Sequence, residues 1–200
     1  QNGIEEGSIR VMRMIAVLPV LAVVAAPWVA SAQFPGILAQ VKPNRLAPYV
    51  PSPQNVVEEM LRAAKVKAGE TVYDLGSGDG RVVITAAQKF GARAVGIEIS
   101  PKEAKLSREK IVQAKLEDRV KIIEADAMTA DLSGADVVTL YFLTSSNDLI
   151  RPHLEKSLKP GARVVSHDYP IRGWKETRVE QVEAYKRVHH LYVYEIPASR

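Results

Sequence analysis

The chain has 200 residues, no cysteine, and 27 Lys plus Arg against 23 Asp plus Glu, for a formal net charge of +4. This composition excludes disulfides, zinc–thiolate centres and thiol catalysis. The basic residues are scattered rather than gathered into a stripe with interleaved aromatics, so no nucleic-acid partner is indicated.

Residues 1–13 read as an N-terminal extension or upstream sequence, with Met12 and Met14 as candidate starts. Met14 to Ala32 is uncharged, follows Arg10 and Arg13, and closes on Ala30, Ser31 and Ala32, which together make the three parts of a secretory signal peptide. The run is nearly long enough to span a bilayer, so a retained membrane anchor is the competing expectation. The leading arginines favour export of the domain, whereas Lys42, Arg45, Arg62, Lys65 and Lys67 favour keeping it in the cytoplasm beside the membrane. Residues 33–53 carry five prolines and read as an extended linker or lid. The 168 residues after the apolar segment are enough for one domain with a real core and too few for a second substrate domain.

Within the domain at 54–200, Ser52 and Pro53 are expected to cap a helix whose Val56, Val57, Met60, Leu61 and Ala64 share one face. A strand over 70–75 then enters a glycine-rich turn, and a helix over 80–90 stops at Gly91. A strand over 92–99 precedes Ser100, Pro101 and Glu103, which read as a capping box for a helix running to about Leu116. A strand over 120–125 follows. The continuous apolar run from Ala135 to Leu143 predicts a buried parallel strand, followed by a helix over 147–158 with Pro152 near its start. A strand over 162–168 comes next, and residues 178–197 read as two strands around Tyr185 and Lys186, an antiparallel hairpin at the sheet edge. This alternation predicts an α/β, doubly wound Rossmann-like sheet of about seven strands, with its ligand beyond their carboxyl ends.

The glycine-rich turn, VYDLGSGDGR from Val72 to Arg81, carries the most chemistry. Gly76, Gly78 and Gly80 let the backbone turn sharply and approach a ligand without a Cβ in the way. A dinucleotide fingerprint would place its third glycine one residue later, and a phosphate-binding P-loop would need Gly-Lys followed by Ser or Thr. Asp74 at the strand end would repel a pyrophosphate but suits a cationic amine, while the N-terminus of the following helix suits a carboxylate. Together they suit an amino-acid zwitterion. Glu98 ends the next strand eighteen residues after Gly80, where a ribose-binding acid sits in such βαβ units. Asp126 ends the third strand. A nicotinamide dehydrogenase and a plain strand-to-helix turn are the alternatives.

At these residues the chain resembles the class I S-adenosylmethionine (SAM) methyltransferases. The resemblance implies SAM as cofactor, bound by Asp74, Gly76, Ser77, Gly78, Gly80, Glu98, Asp126 and Ala127. The segments PYVPSPQNVVEEML, DLGSGDGRVVITAA, DVVTLYFL and KPGARVVSHDYPIRGW are similar to the protein-lysine methyltransferase group that includes the mitochondrial ATP synthase c-subunit and adenine nucleotide translocase enzymes. That similarity implies a lysine side chain of a protein as acceptor, a membrane protein as partner, and a role for Tyr49, Val50, Pro51 and Ser52 in closing the SAM site. Members of the group are membrane-associated through an apolar segment, whereas the segment at 14–32 ends like a cleavage site. A SAM enzyme is expected on the cytoplasmic face, where SAM is made.

Tyr141 and Asp168 are the candidate catalytic residues. Tyr141, with Phe142, supplies an aromatic wall for a methylated ammonium, and Asp168, with His167, is a proton acceptor or substrate orienter. Residues 141–144, YFLT, are not the NPPY-type tetrad of the small-molecule and RNA amino-methylating branches. Those branches, and an exported non-catalytic SAM-fold binding protein, remain the alternatives. Adjacent His189 and His190 point to opposite faces of a strand, so no metal site is expected.

Overall fold

The computed structural model describes residues 46, 47 and 49–198. The extension at 1–13, the apolar segment at 14–32 and the linker up to residue 45 lie outside the described residues. Among the described residues no helix is long and apolar enough to cross a membrane.

The elements are α1 (Gln54–Ala63), β1 (Thr71–Leu75), α2 (Arg81–Phe90), β2 (Arg93–Glu98), α3 (Pro101–Gln113), β3 (Val120–Glu124), β4 (Val137–Leu140), α4 (Thr144–Ser157), β5 (Arg163–His167), β6 (Arg178–Ala184) and β7 (Arg187–Glu195). They form one seven-stranded sheet of order β3-β2-β1-β4-β5-β7-β6. The first five strands are parallel, and β7 runs antiparallel between β5 and β6. This is the doubly wound sheet with a closing hairpin that the alternation predicts.

Central β4 is apolar almost throughout because both its faces are covered: all four residues are buried. Side chains alternate across the sheet. Val72, Ala94, Val137 and Val165 pack with α1 and α2, while Leu75, Val138, Leu140 and Val164 pack with Ile150 and Leu154 of α4. The β6–β7 turn has both Tyr185 (φ 49°) and Lys186 (φ 61°) in the left-handed region, the geometry a two-residue hairpin needs.

Three local expectations are corrected. Ser52 does not cap α1: Pro53 is the N-cap, and Ser52 Oγ lies 2.8 Å from His167 Nδ1. The capping box at Ser100 does not form, because its amide donates to Glu98 Oε1 at 2.8 Å. β4 ends at Leu140 and α4 begins at Thr144, so Tyr141 to Leu143 leave the sheet and Pro152 lies inside the helix.

Gly80, the N-cap of α2, has φ 80°, and a Cβ there would lie 2.1 Å from Ser107 Oγ. The close approach of this turn to Ser107 of α3 requires glycine at this point. Gly80→Ala should cost about 2–3 kcal/mol of stability, of which the left-handed backbone accounts for about 1–2. Ser107→Ala in the same chain should recover the remainder. Urea unfolding of the single and double variants checks this; strictly additive effects would contradict it.

Candidate active site

β1 sits between β2 and β4, so the chain reverses direction across the sheet at β1 and leaves a crevice beyond the strand ends. There an open cleft of about 930 Å³, counting space open to solvent, is bordered by Leu46, Ala47 and residues 49–52. Tyr49, Pro51, Asp74, Gly76, Ser77, Gly78, Glu98, Asp126, Ala127 and Tyr141 all line it. Gly80 and Asp168 do not: Gly80 serves helix packing, and Asp168 stands behind Tyr141.

The glycine turn is held from within. Gly76 and Ser77 donate their amides to Ile97 O at 2.8 and 3.0 Å, Gly80 to Ser77 O at 2.9 Å, and Gly78 to Glu98 Oε2 at 2.8 Å. The anion expected at the start of α2 is the protein's own, since Asp79 Oδ1 accepts the Arg81 amide at 3.3 Å. Glycine is needed here for close approach. A Cβ on Gly78 would lie 2.4 Å from the Tyr49 ring, and one on Gly76 would lie 2.9 Å from Phe142.

Asp79, Arg81 and Lys110 form a cluster that the sequence reading misses. Arg81 grips Asp79 through Nε and Nη2, both at 2.9 Å, and Lys110 Nζ adds a contact at 2.7 Å. Burial alone would raise the Asp79 carboxyl, but these cationic partners outweigh it and hold it at about 2. Arg81 also donates to Ser52 O at 2.8 Å, strapping the arm to the turn.

Asp74 behaves in the opposite way. It is buried and accepts a hydrogen bond from Thr139 Oγ1 at 2.7 Å. Burial, reinforced by the charges of Glu98 and Asp79, outweighs that bond and pushes it up to about 7. Such a carboxyl gains most from a cation placed against it. Ser77 Oγ, also in the cleft wall, is buried without a partner. A buried acid seeking a cation, an unsatisfied hydroxyl and acids at three successive strand ends fit the amino-acid and ribose parts of SAM. Asp126 orders its own turn by accepting the Met128 amide at 2.9 Å, which sets Ala127 in the cleft wall.

On the far side, the Tyr141 ring stacks on His167 with centroids 3.9 Å apart, and its hydroxyl donates to Asp168 Oδ2 at 3.1 Å. His167 is fully buried, and desolvation pushes it down to about 4, which favours its neutral form. Its Nε2 lies 2.9 Å from His189 Nδ1. His190 points away from this cluster, toward Gln181. Phe142 packs into the core against Gly76.

Because Asp74 sits at about 7 in the folded chain against an ordinary value of 3.8, its charged form is penalised by folding. That cost is fully present above about pH 7 and disappears as pH falls below about 4. Asp74→Asn should therefore melt higher than wild type near pH 8, with the gap closing toward pH 5, while losing affinity for SAM. A variant less stable than wild type near pH 8 would refute this.

The ANTKMT methyltransferase domain model matches residues 74–178. A protein-lysine N-methyltransferase of Saccharolobus islandicus (strain REY15A) is 45% identical over 150 residues, covering 74% of this chain and 93% of that protein. The adenine nucleotide translocase lysine N-methyltransferase of Mus musculus is 33% identical over 138 residues; the match covers 68% of this chain and 60% of that longer protein. Among solved structures, an RNA methyltransferase from Salinibacter ruber in complex with S-adenosylhomocysteine superposes with a TM-score of 0.72 at 44% identity, covering 76% of this chain and 96% of that one.

Proposed function

This chain belongs to the ANTKMT methyltransferase domain family and is a SAM-dependent methyltransferase; from that premise we propose that its methyl acceptor is the side-chain amine of a protein lysine. The observation that carries this reading is the 45% identity to a protein-lysine N-methyltransferase over 93% of that protein, and the charge of the cleft agrees with it. Asp74, Asp79, Glu98, Glu103 and Asp126 line the cleft against the single guanidinium of Arg81. Such a wall attracts cations and disfavours a phosphate backbone. The names of the archaeal and mouse relatives point the same way.

SAM supplies an electrophilic methyl group on a sulfonium. In this reading Asp74 takes its ammonium, Glu98 its ribose hydroxyls, and the Asp126–Ala127 turn borders its adenine, with Tyr49 and Pro51 in the roof. Burial of the acceptor lysine beside Tyr141 favours its neutral form. Because the Tyr141 hydroxyl is spent as a donor to Asp168, its oxygen is left to accept an N–H from the amine. That contact turns the nitrogen lone pair away from Tyr141 and leaves it free to attack. Asp168, outside the cleft, is a positioning residue that acts through Tyr141. Displacement of this kind needs alignment and exclusion of water more than acid catalysis.

Incubating the full chain with labelled SAM and an extract containing membrane proteins should place methyl groups on lysine, located by mass spectrometry. Tyr141→Phe should lower kcat about tenfold or more with little change in KM for SAM. The Salinibacter ruber protein carries the name RNA methyltransferase, which makes RNA the second reading. Label confined to RNA or to small molecules would decide against lysine.

The apolar segment at 14–32 and the need for SAM together support a domain held at the cytoplasmic face of a membrane, with a membrane protein as partner. A C-terminal reporter active only in the cytoplasm is the expected outcome. Activity only outside, with a mature N-terminus at Gln33, would overturn this placement.

A further inference from the structure

Behind Tyr141, three side chains with metal-binding atoms meet in the interior. His167 ends β5, Asp168 follows it, and His189 comes from the adjacent antiparallel strand β7. His167 Nε2 and His189 Nδ1 are 2.9 Å apart, and Asp168 Oδ2 lies 3.4 Å from the first and 3.1 Å from the second. The side chains are 0%, 6% and 5% exposed for His167, His189 and Asp168 respectively. In a tetrahedral ion site with ligands at about 2.0–2.1 Å, neighbouring donor atoms are about 3.3–3.4 Å apart. The triangle is thus already close to the face of such a tetrahedron.

Protons alone satisfy this triangle poorly. If His167 donates its Nδ1–H to Ser52 Oγ, the Nδ1 proton of a neutral His189 is the only hydrogen inside the triangle. The lone pairs of His167 Nε2 and Asp168 Oδ2 then confront each other at 3.4 Å. In the opposite tautomer the lone pair of His189 Nδ1 faces the carboxylate at 3.1 Å. Tyr141 and Arg187 also donate to Oδ2, and the His190 amide holds Oδ1 at 3.0 Å.

We propose that His167, Asp168 and His189 form a buried three-ligand site for a first-row divalent cation, with zinc the best match to two imidazoles and one carboxylate. Ser52 is the outer partner that turns the His167 lone pair inward, the arrangement metal-bound histidines ordinarily use. The competitor is Arg187, whose guanidinium lies 2.6 Å from the same oxygen on a side chain that is 56% exposed. A bound cation would fix the ring beneath Tyr141 and, through Ser52, the arm over the cleft.

The full chain, stripped with a chelator and dialysed against zinc or cobalt(II) chloride, should retain one ion per chain. Cobalt should give the intense visible bands of a tetrahedral site. His189→Ala and Asp168→Asn should each weaken retention at least tenfold, while His190→Ala and His153→Ala leave it unchanged. Arg187→Ala should tighten binding several-fold by removing the competing cation. It also keeps the question answerable if His189→Ala does not fold. No stoichiometric ion in wild type, or retention indifferent to His189, Asp168 and Arg187, would overturn the proposal and leave the cluster a hydrogen-bonded relay.

Discussion

One carboxylate holds the site in register. Glu98, at the end of β2, accepts the Gly78 amide through Oε2 and the Ser100 amide through Oε1, both at 2.8 Å. It therefore joins the turn after β1 to the start of α3, in a buried setting where each charge-assisted bond is worth about 1.5–3 kcal/mol. The amides of Gly76 and Ser77 reach the Ile97 carbonyl on the same strand. With the turn pinned to β2 in this way, Asp74, Ser77, Gly78 and Glu98 line one cleft.

Two acids five positions apart on this turn are given opposite tasks by their surroundings. Asp79 has Arg81 and Lys110 against it and stays ionised; its work is to hold the turn and, through Arg81, the Ser52 backbone. Asp74 has a hydroxyl and two other acids near it, so it is a carboxyl waiting for positive charge. Structural ion pairs complete themselves within the fold, whereas a binding acid is left wanting. On that difference Asp74, rather than Asp79, is the acid of this turn proposed to meet a ligand.

Much of this was legible in the sequence because it is local. Strand ends, the positive-φ glycines, the Gly91 stop and the Tyr185–Lys186 turn follow from short-range sterics and periodicity, and three acids at successive strand ends follow from the topology. Partners that meet through the fold were not legible. Ser52 looked like a helix cap because serine before proline usually is one; 115 positions later His167 offered a better partner. Ser100 and Glu103 had capping-box spacing, but Glu98 reached the amide first. Lys110 meets Asp79 only because α3 passes beside the turn after β1, and His189 meets His167 only through the antiparallel register of β5 and β7. The sequence correctly turned His189 and His190 to opposite faces, yet could not show what awaited His189 inside.

In the proposed mode of binding, Glu98 is the acid that reads the ribose of SAM. Because Glu98 also supports the turn, loss of affinity on substitution is not enough to show contact. The direct measurement is a calorimetric double-mutant cycle: wild type and Glu98→Gln, each titrated with S-adenosylhomocysteine and with its analogue lacking the ribose hydroxyls. Removing the hydroxyls should cost wild type at least tenfold in Kd, about 1.4 kcal/mol, and cost Glu98→Gln much less. Equal losses in both proteins would contradict the account, leaving Glu98 a brace for the turn that the ribose does not touch.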